Sequence, residues 1–136
     1  MTVVLVDSNV ILDVFEDDER WADWSESTLN QYADSSGLVI NSVIYAEVSI
    51  GFARIEELEE ALTGCGFSLL PIPKEALFLA GKVFVTYRRQ GGQKRSPLPD
   101  FFIGAHAAVS NLTLITRDAV RYRSYFPRVK LITPPH

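Results

Sequence analysis

Asp7 closes the apolar run at residues 2 to 6, and Asp118 follows a second such run at 112 to 116, just after Arg117. In an open parallel sheet, ligands bind beyond the carboxyl ends of the strands, so acids emerging there share one rim. Each of the two also suits a helix N-cap, where a carboxylate accepts from backbone donors that lack a partner. Glu47 in NSVIYAEVSIGF stands four residues after Val43 and three after Ile44, on the stripe a helix would bury. An ionised group on such a stripe is costly unless a cation answers it, and Arg54 is the base closest to it along the chain. Asp100 opens DFFIGAHAAV behind Pro99, which suits the first turn of a helix and the positive end of its dipole. That helix leads into the run at 112 to 116, so its start lies near the rim where Asp118 emerges.

Four carboxylates in one pocket would repel. Two unit charges about 4 Å apart cost on the order of 4 kcal/mol at an effective dielectric of 20, against a whole-domain stability of about 5–15 kcal/mol. A hard divalent cation resolves the conflict. Oxygen-only donors favour Mg2+ or Mn2+, whereas zinc would want His or Cys. The chain holds only His106, His136 and Cys65. His106 falls within the apolar helix opened by Asp100 and is expected to be a core residue.

The elements that must position these acids are legible as an alternation. Five apolar runs, at 2–6, 37–40, 67–72, 112–116 and 129–133, read as buried strands. Between them lie helical spacings: Trp21, Trp24, Thr28 and Tyr32; Phe52, Ile55, Leu58 and Leu62; Leu77, Ala80, Phe84 and Tyr87. Strands alternating with helices predict βαβ units and a parallel sheet. Residues 88 to 99, RRQGGQKRSPLP, read as a loop because paired glycines and two prolines interrupt the helix before it.

With 136 residues, 47% hydrophobic and 22% charged, the expectation is one α/β domain over residues 1–136 with a true core. A single cysteine excludes an intramolecular disulfide and a thiol-held structural zinc, which suits a reducing cytoplasm. No basic n-region precedes the first apolar run, and no uninterrupted apolar stretch approaches the ~20 residues of a membrane span. The expected protein is soluble and unexported. Charge is divided along the chain: residues 1 to 73 hold two basic side chains against fourteen acids, and residues 74 to 136 hold eleven against three. That asymmetry points to a polyanion or an acidic partner on the basic side.

The segments VDSNVILD, SVIYAEVSIGF, LPDFFIGAHA and LITRDAVRY, in this order over nearly the whole chain, resemble the four signature segments of PIN-domain ribonucleases, specifically the VapC-type toxins of toxin-antitoxin pairs. The resemblance implies a three-layer α/β/α fold with a five-stranded parallel sheet in the order 3-2-1-4-5. It implies an acidic pocket of Asp7, Glu47, Asp100 and Asp118 that is both catalytic and metal-holding, with Asn9 and Thr116 in support. The implied reaction is Mg2+- or Mn2+-dependent hydrolysis of RNA, leaving 5′-phosphate and 3′-hydroxyl ends. Arg88, Arg89, Lys94 and Arg95, just before Asp100, are candidates to grip the RNA backbone. The implied partners are a cognate antitoxin, which in the family often places an arginine among the carboxylates, and a second copy of the chain. Trp21, Trp24 and the helix at 51 to 62 are a candidate antitoxin contact, although a core role suits the same side chains.

Two other classes fit the sequence less well. A flavodoxin-like phosphoacceptor domain also gathers acids at a sheet rim, but it needs an acceptor Asp after its third strand and a Lys after its last. FSLLPIPK and VKLITPPH supply neither. A non-catalytic interaction module of PIN fold would have no need of four acids.

Overall fold

The computed structural model describes residues 3–135, so Met1, Thr2 of the expected first strand, and His136 lie outside the described residues. The chain runs β1 (Val3–Val6), α1 (Ser8–Phe15), α2 (Ala22–Ser35), β2 (Gly37–Ile40), α3 (Ser42–Ser49), α4 (Ile55–Gly64), β3 (Phe67–Leu69), α5 (Lys74–Arg89), α6 (Pro99–Val109), β4 (Thr113–Ile115), α7 (Val120–Tyr125) and β5 (Leu131–Ile132). The five strands form one sheet in the order β3-β2-β1-β4-β5, and every pairing is parallel. This is the expected order, and it differs from the 2-1-3-4-5 order of flavodoxin-like sheets. Right-handed crossovers then place α1 to α4 on one face and α5 to α7 on the other, in keeping with the packing of α1 on α2 and of α6 on both α5 and α7. None of the helices among the described residues is long and apolar enough to cross a membrane.

The central strands are unbroken apolar runs because helices cover both faces of the sheet. Val4, Leu5, Val6, Leu114 and Ile115 are all buried. The outer strands are shorter than their apolar runs. Leu70 gives its N–H to Ile40, and Pro71 beyond it has none to give. Registers Leu5↔Val39 and Val6↔Ile115 bring the ends of β2, β1 and β4 level. The residues that leave those strands, Asn41, Asp7 and Thr116, are accordingly all buried polar groups on one rim.

One expected boundary is corrected. Arg88 and Arg89, read as loop, form the last turn of α5, where cations meet the negative end of the helix dipole. The stop comes at Gly91, at φ +95, and at Gly92, whose added Cβ would lie 2.3 Å from the Tyr87 ring. Similarly, the apolar helix assigned to residues 51–62 begins at Ile55. Its Leu58 and Leu62 are buried and Trp24 packs against the same core, a core role for these three, whereas Ile55 is 63% exposed and the Trp21 ring lies against the guanidinium groups of Arg20 and Arg117.

Within α6, Gly104 lets the Phe126 ring lie where a Cβ would meet it at 2.3 Å, which fixes α6 against the chain leaving α7. His106 is buried as expected, at 1% exposure. Asn41 caps α3 by accepting from the N–H groups of Val43 and Ile44, so its amide donates to His106 Nδ1 at 3.1 Å. His106 therefore accepts there and is neutral, and burial lowers its pKa from 6.5. A base with a depressed folded pKa contributes stability above its unfolded pKa that is lost as pH falls. Urea unfolding is expected to show that loss below pH 6.5, with a slope of at most about 1.4 kcal/mol per pH unit from this residue. His106→Gln should abolish that component, and an unchanged slope in the variant would dismiss it.

Candidate active site

The rim of the sheet gathers three of the four sequence-expected acids around three hydroxyl groups. Asp7 leaves β1 in extended backbone and caps α1, its Oδ1 accepting from the Ser8 N–H at 2.8 Å. The capping role and a site role thus fall on one side chain. On its other oxygen, Oδ2 accepts from Thr116 Oγ1 at 2.8 Å and from the Tyr122 hydroxyl at 2.9 Å. Ser8 Oγ, 3.5 Å from Asp7, donates at 3.0 Å to Glu47 Oε1. The Tyr122 hydroxyl also stands 3.3 Å from Asp100 Oδ1. Asp7, Glu47 and Asp100, from β1's end, α3 and α6, are thereby joined through Ser8 and Tyr122.

The electrostatics follow from that crowding. Burial raises the Asp7 pKa above 3.8, with the Asp100 charge adding to it, while donors from Thr116, Tyr122 and Ser8 work the other way. Glu47 is likewise raised above 4.5, by burial first, against the Ser8 bond and with Asp7 and Asp100 adding to it. The Tyr122 phenol is pushed far up by burial and then by the neighbouring acids, so it remains a proton donor. Glu47 is half-buried rather than fully so, and Arg54 does not answer it: Arg54 pairs with Glu56 on the surface. No ion pair to Glu47 exists among the described residues. Asp100 does have one, from Arg121 Nη1 at 3.2 Å.

Asp118 is placed differently. It does not cap α7, whose N-cap is Ala119, and its exposed carboxylate makes no hydrogen bond or ion pair among the described residues. Its main chain joins the rim instead, since its N–H donates to Thr116 Oγ1 at 3.2 Å. Asn9 steadies the same turn by accepting from the Arg117 N–H at 3.3 Å, with its amide 3.5 Å from Thr116 Oγ1. Arg88 Nη1 is committed to the carbonyls of Gly92 and Lys94, whereas Arg89, Lys94 and Arg95 are exposed.

Two residues that the sequence reading passed over support this arrangement. Tyr122 is one. The other is Asp13 in α1, only 3% exposed, which receives Arg117 Nε at 2.8 Å, Arg117 Nη2 at 3.0 Å and Ser25 Oγ at 3.0 Å. A signal for Asp13 existed, because it lies three residues after Val10 on the buried stripe of its helix, the same anomaly that singled out Glu47.

The donor set tests whether a divalent cation fits. All the oxygens are hard donors, Glu47 has no ion pair among the described residues, and burial first, with like charges adding to it, raises both Asp7 and Glu47. Among the described residues, no three acid, histidine or cysteine side chains stand ready to share one ion in this arrangement. Hard oxygen donors are the kind Mg2+ takes, one or two carboxylates with several waters making up the rest.

Comparison with known proteins follows the same lines. The family model described as PIN domain matches residues 4–127. Among solved structures, VapBC2 of Rickettsia felis bound to a promoter DNA fragment is similar at TM-score 0.75 and 17% identity, covering 98% of this chain and 100% of that one. A toxin-antitoxin complex of Klebsiella pneumoniae is similar at TM-score 0.70 and 21% identity, covering 98% of each chain. VapBC-5 of Mycobacterium tuberculosis covers both chains fully, at TM-score 0.54 and 17% identity. At these identities the likeness is one of fold. No curated relative matches the sequence.

Proposed function

Because this chain belongs to the PIN-domain family, we propose that it is a divalent-metal-dependent endoribonuclease and the toxin member of a toxin-antitoxin pair. The observation that carries the reading is the linkage of Asp7, Glu47 and Asp100 from three separate elements, with no ion pair to Glu47 among the described residues. Asp7, Glu47 and Asp100 would hold Mg2+ or Mn2+, directly or through water, and Asp118 is free to complete the set or to serve a second ion. The bound ion supplies Lewis-acid stabilisation of phosphate charge and lowers the pKa of nearby water.

The chain's own residues do the rest. Thr116 and Tyr122 hold the Asp7 carboxylate from one side and Ser8 holds it from the other, so its orientation is fixed before any ligand arrives. Glu47, raised above its ordinary range and bonded only to Ser8 Oγ, is the acid best placed to take a proton from water. Arg121, already at Asp100, stands beside the pocket as a partner for phosphate oxygens. Arg89, Lys94 and Arg95 would follow the RNA backbone without reading bases. The toxin-antitoxin neighbours support a cognate antitoxin as a partner, and a cover over this rim and a homodimer go with the family resemblance alone.

The test is to incubate the purified protein with a mixed single-stranded RNA pool and to map the ends. The expected result is cutting with Mg2+ or Mn2+ that leaves 5′-phosphate and 3′-hydroxyl ends, stops in EDTA, and is lost in Asp100→Asn. Cutting that survives either change rejects the proposal.

A further inference from the structure

Beside Asp118 and outside the carboxylate network lies a cavity of about 410 Å³. Its distinctive members are Trp21, Arg20, Arg117 and Arg123, with Pro134 and Pro135 as an apolar wall. The Arg20 guanidinium lies 4.8 Å from the Trp21 ring centroid and that of Arg117 lies 5.5 Å from it. Arg117 is held in place by Asp13, whereas Arg20 and Arg123 are exposed and have no ion pair among the described residues. The single acid on the wall is Asp118, whose main chain bonds the same Thr116 hydroxyl that donates to Asp7. The cavity therefore borders the candidate active site across one residue.

We infer that this cavity is a subsite for one nucleotide of single-stranded RNA flanking the scissile bond, a reading that rests on the endoribonuclease function above. An unstacked base needs a flat partner, which an aromatic ring or a guanidinium plane provides, and its phosphates need cations free of acids. Here both occur together, in a volume at the lower end of small-ligand sites, about 300–1,000 Å³. Arg20 can exchange the Trp21 face for a base and a phosphate, while Arg117, tied to Asp13, keeps its plane fixed. An acidic peptide would use the cations and leave the ring idle. The loop before Asp100 is less suited, because Arg88 is bound to its own turn and the ring beside Lys94, Tyr87, is committed to the Lys94 N–H and to Phe84 and Phe101.

The experiment measures binding of a labelled mixed-sequence hexaribonucleotide by anisotropy in EDTA, where the strand stays intact, across a series of salt concentrations. The double variant Arg20→Ala/Arg123→Ala is expected to bind about tenfold more weakly. Its log–log salt slope should be smaller by about 1.4, the value for two phosphate contacts on a single strand. Trp21→Leu should lose about tenfold with the salt slope unchanged, and its melting midpoint reports whether it folds. Unchanged affinity and slope in the double variant overturn the subsite. So does a double variant that loses affinity for polyglutamate and keeps it for RNA, which would assign the patch to an acidic protein. A parent that neither binds the hexamer nor cuts RNA with Mn2+ sinks the nuclease reading as well. A parent that cuts RNA, with variants that bind it normally, sinks the subsite alone.

Discussion

Asp7→Asn is expected to reduce RNA cleavage by about a thousandfold or more, equivalent to roughly 4 kcal/mol of lost transition-state stabilisation, while leaving the metal-free protein at least as stable as the parent. The two halves of this result have one cause. A buried carboxylate with Asp100 nearby is costly to ionise, and the amide removes the charge while keeping the shape. Asparagine retains an oxygen for the Ser8 N–H. Its new donor would face Thr116 Oγ1 and the Tyr122 hydroxyl, and each of these has another acceptor in reach, the Asp118 carbonyl at 3.4 Å and Asp100 Oδ1 at 3.3 Å. Both hydroxyls can turn their protons away and accept. No buried polar atom need be left unpaired.

The pH dependence carries the same sign. Asp7 in the folded chain has a pKa raised above its unfolded value of 3.8, so the native state binds the proton more tightly than the unfolded state does. Its contribution therefore favours folding at low pH and declines as pH rises from 3.8 through the raised value. The stability advantage of Asp7→Asn over the parent in EDTA should grow over that rise. Urea unfolding of both proteins between pH 4.5 and 7.5 measures it. If the variant is instead less stable by about 2 kcal/mol or more, a size that marks a broken buried hydrogen-bond network, Asp7 is a structural cap and not a store of unbalanced charge. Asp100 is the weaker choice for this comparison, because Arg121 already answers it.

Arg117→Ala should be the most damaging single change to folding outside the apolar core, at about 3–5 kcal/mol. It strands Asp13, 3% exposed, with only Ser25 as a partner. Asp13→Asn should cost less, about 1–2 kcal/mol, because Arg117 is 30% exposed and can turn to water. The order of the two, rather than either value, identifies the stranded carboxylate as the cause. Replacing both, Arg117→Met with Asp13→Leu, should recover most of the loss, since a buried pair is worth little against apolar packing. Denaturant midpoints give all three. A cost below about 1 kcal/mol for Arg117→Ala, the ordinary worth of a surface pair, would show that water reaches Asp13.

The legibility of the molecule in its sequence follows from how local each signal is. β1, β2 and β4 are plain because two covered faces demand unbroken apolar residues. The outer strands are shorter than their apolar runs because those runs continue in residues that pack on the core beyond the paired segment, such as Ile72 and Val129. Glu47 was legible as a charge on a buried stripe. Asp13 carried the same signal in α1, but its answer, Arg117, lies 104 residues away, and no local spacing announces a partner at that distance. Tyr122 was hidden for a similar reason: nothing around it marks a phenol that must sit between Asp7 and Asp100. Arg88 and Arg89 were misread because a basic pair before glycines looks like loop, when the cations in fact complete the helix.

Thr116, Arg117 and Asp118 are consecutive, yet the first holds Asp7, the second holds Asp13, and the third faces solvent beside the cavity. Three unrelated tasks hang on one uninterrupted count of residues. Inserting or deleting a single position between Ile115 and Ala119 would therefore transfer each task to the wrong side chain, whereas residues 95 to 97, past the Lys94 main chain that Arg88 and Tyr87 hold, can change in number without that penalty. Variation in length among homologous chains should accumulate in the second place and be missing from the first.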